Sequence, residues 1–229
     1  MESTRDSNPA SERFVGLVRC GGWAALISVV LTLVQVVVFV IWPPVHTVGE
    51  VFRLMVDSPM LGLLSMDLLY VVNNVAVWLF YLGLAVPLWQ VSRSGTVIAM
   101  GLGTLQMAAY FASNPAVELL ALGRAHVGAS PEARQTLLAA GEAALARMNG
   151  TAFVTYYLLG AAVLLVLAGM LRQTAAVGRT TWWWALAAGV LMLVPSPFGS
   201  VGMGFALASL VPWSVFCVLA GSGLLRLAC

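Results

Sequence analysis

Residues 67–90 read DLLYVVNNVAVWLFYLGLAVPLWQ, a stretch with one charged residue, at its first position. A helix rises about 1.5 Å per residue, so some 20 apolar residues cross the roughly 30 Å of a bilayer's hydrocarbon. The stretch is long enough. It is not uniformly apolar, however: Asp67, Tyr70, Asn74, Trp78 and Tyr81 recur in steps of three or four. That spacing places them on one helix face. A carboxylate or amide facing lipid is costly, so the face is expected to look into the protein.

The same pattern recurs on both sides. Residues 97–117 carry Gln106, Tyr110 and Asn114, with Glu118 one step beyond, and residues 21–42 carry a weaker stripe of Ser28, Thr32, Gln35, Phe39 and Trp42. Further segments at 151–171, 181–197 and 201–224 are apolar enough to span, the fifth being cut short by Pro195 and Pro197. The expected fold is all-α: an integral membrane bundle of six transmembrane helices with two short outer-face helices in its loops. Residues 1–18 read as a cytoplasmic tail and 19–229 as a single six-helix transmembrane domain.

Composition agrees. Hydrophobic residues make up 61% of 229 and charged residues 9%, against about 25% charged in soluble domains. The net charge of +2 is too small and too scattered for a nucleic-acid partner. All basic residues are arginine, and the missing lysine excludes a P-loop and any Schiff-base chemistry. A lysine-free chain rich in Ala, Val, Leu and Arg also fits the coding bias of a high-GC bacterium. Cys20, Cys217 and Cys229 form an odd set without metal-site spacing and read as free thiols. Arg19 before Cys20 argues against a lipoprotein signal, and Trp42-Pro43-Pro44 offers no small-residue cleavage site, so the first segment reads as a retained anchor.

Arginine placement sets the expected orientation. With the N-terminus inside, seven arginines fall on inner segments and Arg53, Arg124, Arg134 and Arg147 on outer loops. This predicts a multi-pass protein of the inner (plasma) membrane with both termini cytoplasmic. The outer loops are long. Residues 47–57 place Val48, Val51, Phe52 and Met55 on one face, as an interfacial helix would. Residues 130–148 open on Ser130-Pro131, a cap followed by proline at the first helical position, and stop at Asn149-Gly150. Two arrangements fit: an outer cover over the bundle, or helices lying flat on the membrane.

In this topology Asp67, Asn74, Tyr110, Asn114, Glu118 and Gln35 fall in the outer half of their spans, with Tyr81 and Gln106 near the midplane. Two readings compete. Polar side chains often hydrogen-bond between helices merely to hold a bundle, at about 0.6 kcal/mol each. Alternatively they line a cavity open to the outside, with Trp78 and Tyr81 as its floor. Asp67 and Glu118 read either as a carboxylate pair or as two solvated acids at the water boundary. Asn114-Pro115 either caps and restarts a helix or kinks a continuous one. His46 and His126 lie in outer loops, and no metal or cofactor is called for. The stripe Ser200, Gly204, Ala208 and Pro212 reads as a close-packing face of the last span.

Several stretches together carry a resemblance: Trp42-Pro43-Pro44, Leu61-Gly62-Leu63-Leu64, the run from Tyr110 to Glu118, and Gly150-Thr151-Ala152-Phe153. In these the chain resembles the uncharacterised bacterial six-span membrane proteins grouped as domain of unknown function 4386. The resemblance implies a six-helix membrane fold and no established activity, so it transfers no catalytic residue.

Three functions remain open. The first is binding or transport of a small amphipathic or apolar molecule in an outward-facing cavity, held by Gln35, Asp67, Asn74, Trp78, Tyr81, Gln106, Tyr110, Asn114 and Glu118. The second is an intramembrane enzyme on a lipid or isoprenoid, with Asp67 or Glu118 as acid or base. The third is a non-catalytic assembly partner. Expected partners are membrane lipids, such a ligand, and a second copy of the chain or another membrane protein.

Overall fold

The computed structural model describes residues 14–43, 45 and 47–229. Most of the predicted tail, with Arg5 and Arg13, and His46 lie outside the described residues. The described chain is helical throughout: α1 (Val15–Ile41), α2 (Val48–Asp57), α3 (Pro59–Ser65), α4 (Leu68–Leu88), α5 (Arg93–Ser113), α6 (Ala116–Val127), α7 (Pro131–Met148), α8 (Thr151–Leu171), α9 (Thr181–Leu191) and α10 (Gly199–Leu227). No strand occurs among the described residues.

Five helical stretches are long and apolar enough to cross a membrane: α1, α4, α5 with α6, the stretch ending in α8, and α10. The expected fifth span is the exception. As α9 it ends at Leu191 after 11 residues, a rise of roughly 16 Å, about half the hydrocarbon. The α4 helix begins at Leu68, so Asp67 stands just outside it.

The helices divide into two compact units. Among the described residues, the first comprises 14–29, 74–107 and 157–229. Its core joins Phe80, Tyr81, Leu84 and Leu88 of α4, Leu164, Leu167 and Leu171 of α8, and Phe216 and Leu224 of α10. The Trp213 ring stands edge-on to Tyr81 at 6.4 Å. The helices of this unit approach one another closely. Glycines provide that closeness. A Cβ on Gly21 would lie 2.7 Å from the Gly83 Cα, and one on Gly22 3.0 Å from the Gly221 carbonyl. Thus α1 meets α4 and α10 backbone to backbone. Arg19 at the start of α1 donates from Nη2 to the Ala228 carbonyl just past α10, at 3.2 Å.

The expected packing face of α10 is displaced. Ser200, Gly204 and Ala208 are exposed, whereas Gly202, Ala206, Ser209, Pro212 and Phe216 are buried. The turn before the helix explains the shift. It folds the Pro195 and Ser196 carbonyls against Gly202, where a side chain would collide with them.

The second unit comprises residues 30–73 and 108–156. The predicted helix 47–57 forms as α2, held by a capping box in which the Thr47 hydroxyl accepts from Glu50 N and donates to Glu50 Oε2. Val48, Val51, Phe52 and Met55 are all buried, as their spacing foretold. They pack on protein, however, in a small core with Met66, Ala116 and Leu119. Phe52 lies against Gly123 of α6 and Gly141 of α7, where any Cβ would crowd its ring or backbone, and its ring faces His126 at 5.5 Å. The interfacial reading of 47–57 therefore gives way: its apolar face is covered by α6 and α7. The helix from residue 130 forms as α7, Ala133 N donating to Ser130 Oγ. Two helices in this unit, α3 and α6, were not anticipated.

Candidate functional site

The candidate residues fall in both units. Asn74, Trp78, Tyr81 and Gln106 belong to the first; Gln35, Asp67, Tyr110, Asn114 and Glu118 belong to the second.

In the first unit, Asn74, Tyr81 and Gln106 are buried. Tyr81 covers Gly103, where a Cβ would come within 3.0 Å of its ring, and Gln106 lies on Gly160 in the same way. Trp78 departs from the stripe. It is 37% exposed and donates from Nε1 to Thr104 Oγ1 at 3.2 Å, so it faces outward and does not floor a cavity. An open apolar groove of about 640 Å³ between α4 and α5, lined by Ala85, Trp89, Val97, Met100 and Leu105 among others, contains none of the candidates.

In the second unit three candidates converge on one corner. Helix α3 ends at Ser65, Met66 follows, and Asp67 turns the chain into α4 with φ 59°. Carbonyls at the end of a helix have no partner within it, and here side chains from two other helices provide them. Gln35 Nε2 of α1 donates to the Leu64 carbonyl at 3.2 Å. Asn114 Nδ2 donates to the Met66 carbonyl at 2.9 Å. The Tyr110 hydroxyl adds a longer bond, 3.4 Å, to the Asp67 carbonyl, which already accepts from Tyr70 N and Val71 N of α4.

Asn114 is used at both ends, since its Oδ1 accepts from Ala116 N at 3.0 Å. It caps and restarts the helix across Pro115, the first of the two sequence readings. Asn114→Ala should therefore cost stability: two hydrogen bonds are lost and a part-buried corner carbonyl is left without a donor, about 1–3 kcal/mol. A thermal midpoint within a degree of wild type would contradict this role.

Glu118 is elsewhere in character. Arg147 Nη2 meets its Oε1 at 2.8 Å, with the two side chains 50% and 53% exposed. An exposed pair of this kind contributes little to stability. It ties α6 to α7 at the surface.

Two features remain at the corner. First, Asp67 has no ion-pair partner among the described residues, where the Glu118–Arg147 pair is the one salt bridge. It is half-buried, and desolvation pushes its carboxyl up to about 7. An aromatic cluster gathers around Tyr110, the residue whose hydroxyl reaches the Asp67 carbonyl: its ring lies 6.5 Å from Tyr70, 6.4 Å from Phe153 and 5.0 Å from Tyr156. Second, Thr32 Oγ1, Gln35 Oε1 and Asn73 Oδ1 are buried oxygens with no hydrogen-bond partner among the described residues. Ser28 Oγ and Gln106 Oε1 are in the same state in the first unit.

Asn73 was missed from the sequence because the stripe was drawn through its neighbour Asn74; both are buried. Phe153 was missed because its partners become evident only in three dimensions. Comparison with protein-family models, curated proteins and solved structures finds no match to this chain.

Proposed function

We propose that this is a multi-pass cell-membrane protein that binds, and moves, a small amphipathic molecule whose polar head lodges among the buried oxygens of the second unit. One observation carries the reading. Among the described residues, Thr32, Gln35 and Asn73 each bury a side-chain oxygen that no donor reaches. Each such group costs about 1–3 kcal/mol, against a typical total stability of about 5–15 kcal/mol. A bound molecule bearing donors offsets that cost.

The topology belongs to the same proposal. The Arg19–Ala228 hydrogen bond joins the start of the first spanning helix to the end of the last. That arrangement fits an even number of passages, with α9 and residues 192–198 together completing the sixth. The arginine bias places this shared end in the cytoplasm, and the resemblance to the six-span family agrees. The enzymatic alternative now rests on Asp67, because Glu118 is engaged with Arg147 at the surface. The assembly alternative has its own support in the exposed small residues Ser200, Gly204 and Ala208 of α10.

Native mass spectrometry of protein released gently from its own membrane tests the proposal, with Thr32→Val and Asn73→Leu as variants. A reproducible co-purifying mass that either variant loses is the expected result. If the oxygens served nothing, removing them would relieve an unmet hydrogen bond. Both variants would then melt higher than wild type with an unchanged mass spectrum, and the proposal would be wrong.

A further inference from the structure

The chemistry surrounding the Asp67 corner is one-sided. Gln35 and Asn114 commit their amide hydrogens to the Leu64 and Met66 carbonyls, which fixes their orientation; a flip would set oxygen against oxygen. Among the described residues, what the second unit leaves unpartnered is the amide oxygens Gln35 Oε1 and Asn73 Oδ1, which only accept, and the Thr32 hydroxyl, which accepts or donates. Tyr70 and Asn73 stand three residues apart on α4, on a common face.

Charge points the same way. The second unit's arginines, Arg53, Arg124, Arg134 and Arg147, are all exposed, and none pairs with Asp67. Within electrostatic range of the Tyr110 phenol are the Asp67 carboxyl and the phenols of Tyr70 and Tyr156, each a neutral or anionic group. A carboxylate withdrawn from water needs a cation or a proton. The four rings form one cluster, with Phe153 and Tyr156 stacked at 6.0 Å, and aromatic faces attract cations, organic ones included. Tyr110 is buried, while Asp67, Tyr70, Phe153 and Tyr156 keep part of their surface open, so an incoming group has an edge to approach.

We propose that the head group this protein receives is an organic ammonium ion, seated against the Asp67 carboxylate and the faces of Tyr70, Phe153 and Tyr156. The inference rests on the ligand-binding reading above and narrows it to one charge class. The ammonium could belong to a free amphiphile or to a lipid head group.

The full chain in phosphatidylglycerol nanodiscs is titrated with choline and with its uncharged isostere, in which carbon replaces nitrogen. Choline should bind at least about tenfold more tightly than the isostere, a difference set by desolvated cation–π and carboxylate contacts. Asp67→Asn should lose that preference. Tyr156→Leu should weaken choline binding several-fold and Tyr156→Phe should restore it, because the ring rather than the hydroxyl is needed. The Tyr156 pair keeps the test decisive should Asp67→Asn fail to fold. Nanodiscs containing phosphatidylcholine separate the sources: displacement of choline by the lipid assigns the head group, and undiminished choline binding assigns the free cation.

Equal binding of choline and isostere overturns the proposal, as does choline binding indifferent to both Asp67→Asn and Tyr156→Leu. If the isostere binds and Thr32→Val or Asn73→Leu abolishes it, the charge class is wrong and the ligand reading stands. If neither probe binds and no mass co-purifies, both fall.

Discussion

Gly21→Leu and Gly83→Leu should each leave little folded protein after extraction into mild detergent, and what survives should melt well below wild type. Between these two glycines α1 and α4 touch through their backbones: a Cβ on Gly21 would lie 2.7 Å from the Gly83 Cα, and one on Gly83 2.8 Å from the Gly21 Cα. Overpacking a core typically costs 1–3 kcal/mol, roughly, when flexible side chains yield. Here the obstacle is backbone, so the helices themselves must separate, and with them the neighbouring contact of Gly22 with Gly221. Gly101 is the control. A Cβ there meets nothing within 4 Å, and Gly101→Ala should be neutral or gain up to about 1 kcal/mol from helix propensity. Size-exclusion profiles and thermal midpoints of the three variants decide the matter. Equal behaviour of Gly21→Leu and Gly101→Ala would mean that the close crossing does not hold the unit together.

The contrast between those glycines also marks where the sequence was readable. The positions of five long apolar helices followed from apolar length, and much of their buried polar faces from spacing. Of the stripe read as weakest, Ser28, Thr32 and Gln35 are buried, whereas Phe39 is half-buried and Trp42 exposed, so a few small polar residues among valines marked the protein-facing side only over the first part of the helix. Trp78 deceived the same reasoning: tryptophan fits either a polar stripe or an outer surface, and spacing alone cannot separate the two. Helices α3 and α6 were hidden because each abuts a span, so their apolar residues read as span or loop. The candidate site failed to resolve for a related reason. Asn114, Tyr110 and Gln35 were visible as buried polar groups, yet their partners are backbone carbonyls of a corner that exists only because α3 ends where it does. Sequence shows which groups need partners; three-dimensional proximity decides which partners they get.

Asp67 carries the second large effect, and there backbone and carboxylate can be separated. Its φ of 59° lies in the left-handed region, which costs an ordinary L-residue about 1–2 kcal/mol and which Asp and Asn enter more readily. A β-branched residue there is a true outlier. Asp67→Gly and Asp67→Asn should therefore keep the corner, whereas Asp67→Val should lower stability by more than about 2 kcal/mol and loosen the carbonyls that Gln35, Asn114 and Tyr110 hold. The carboxylate has a different signature. An unfolded aspartate titrates near 3.8, and burial carries this one to about 7 in the folded chain. Between those values the folded protein keeps a proton that the unfolded one has lost, so stability is greatest below the lower value and declines as pH rises through the upper. Thermal midpoints measured from pH 4 to 8 should fall for wild type and stay flatter for Asp67→Asn. A flat wild-type profile would show that the carboxyl is solvated or already paired. An ammonium ligand competes with the proton for the same oxygen atoms, so a cation probe should stabilise the protein most at the alkaline end, where the unoccupied corner is weakest.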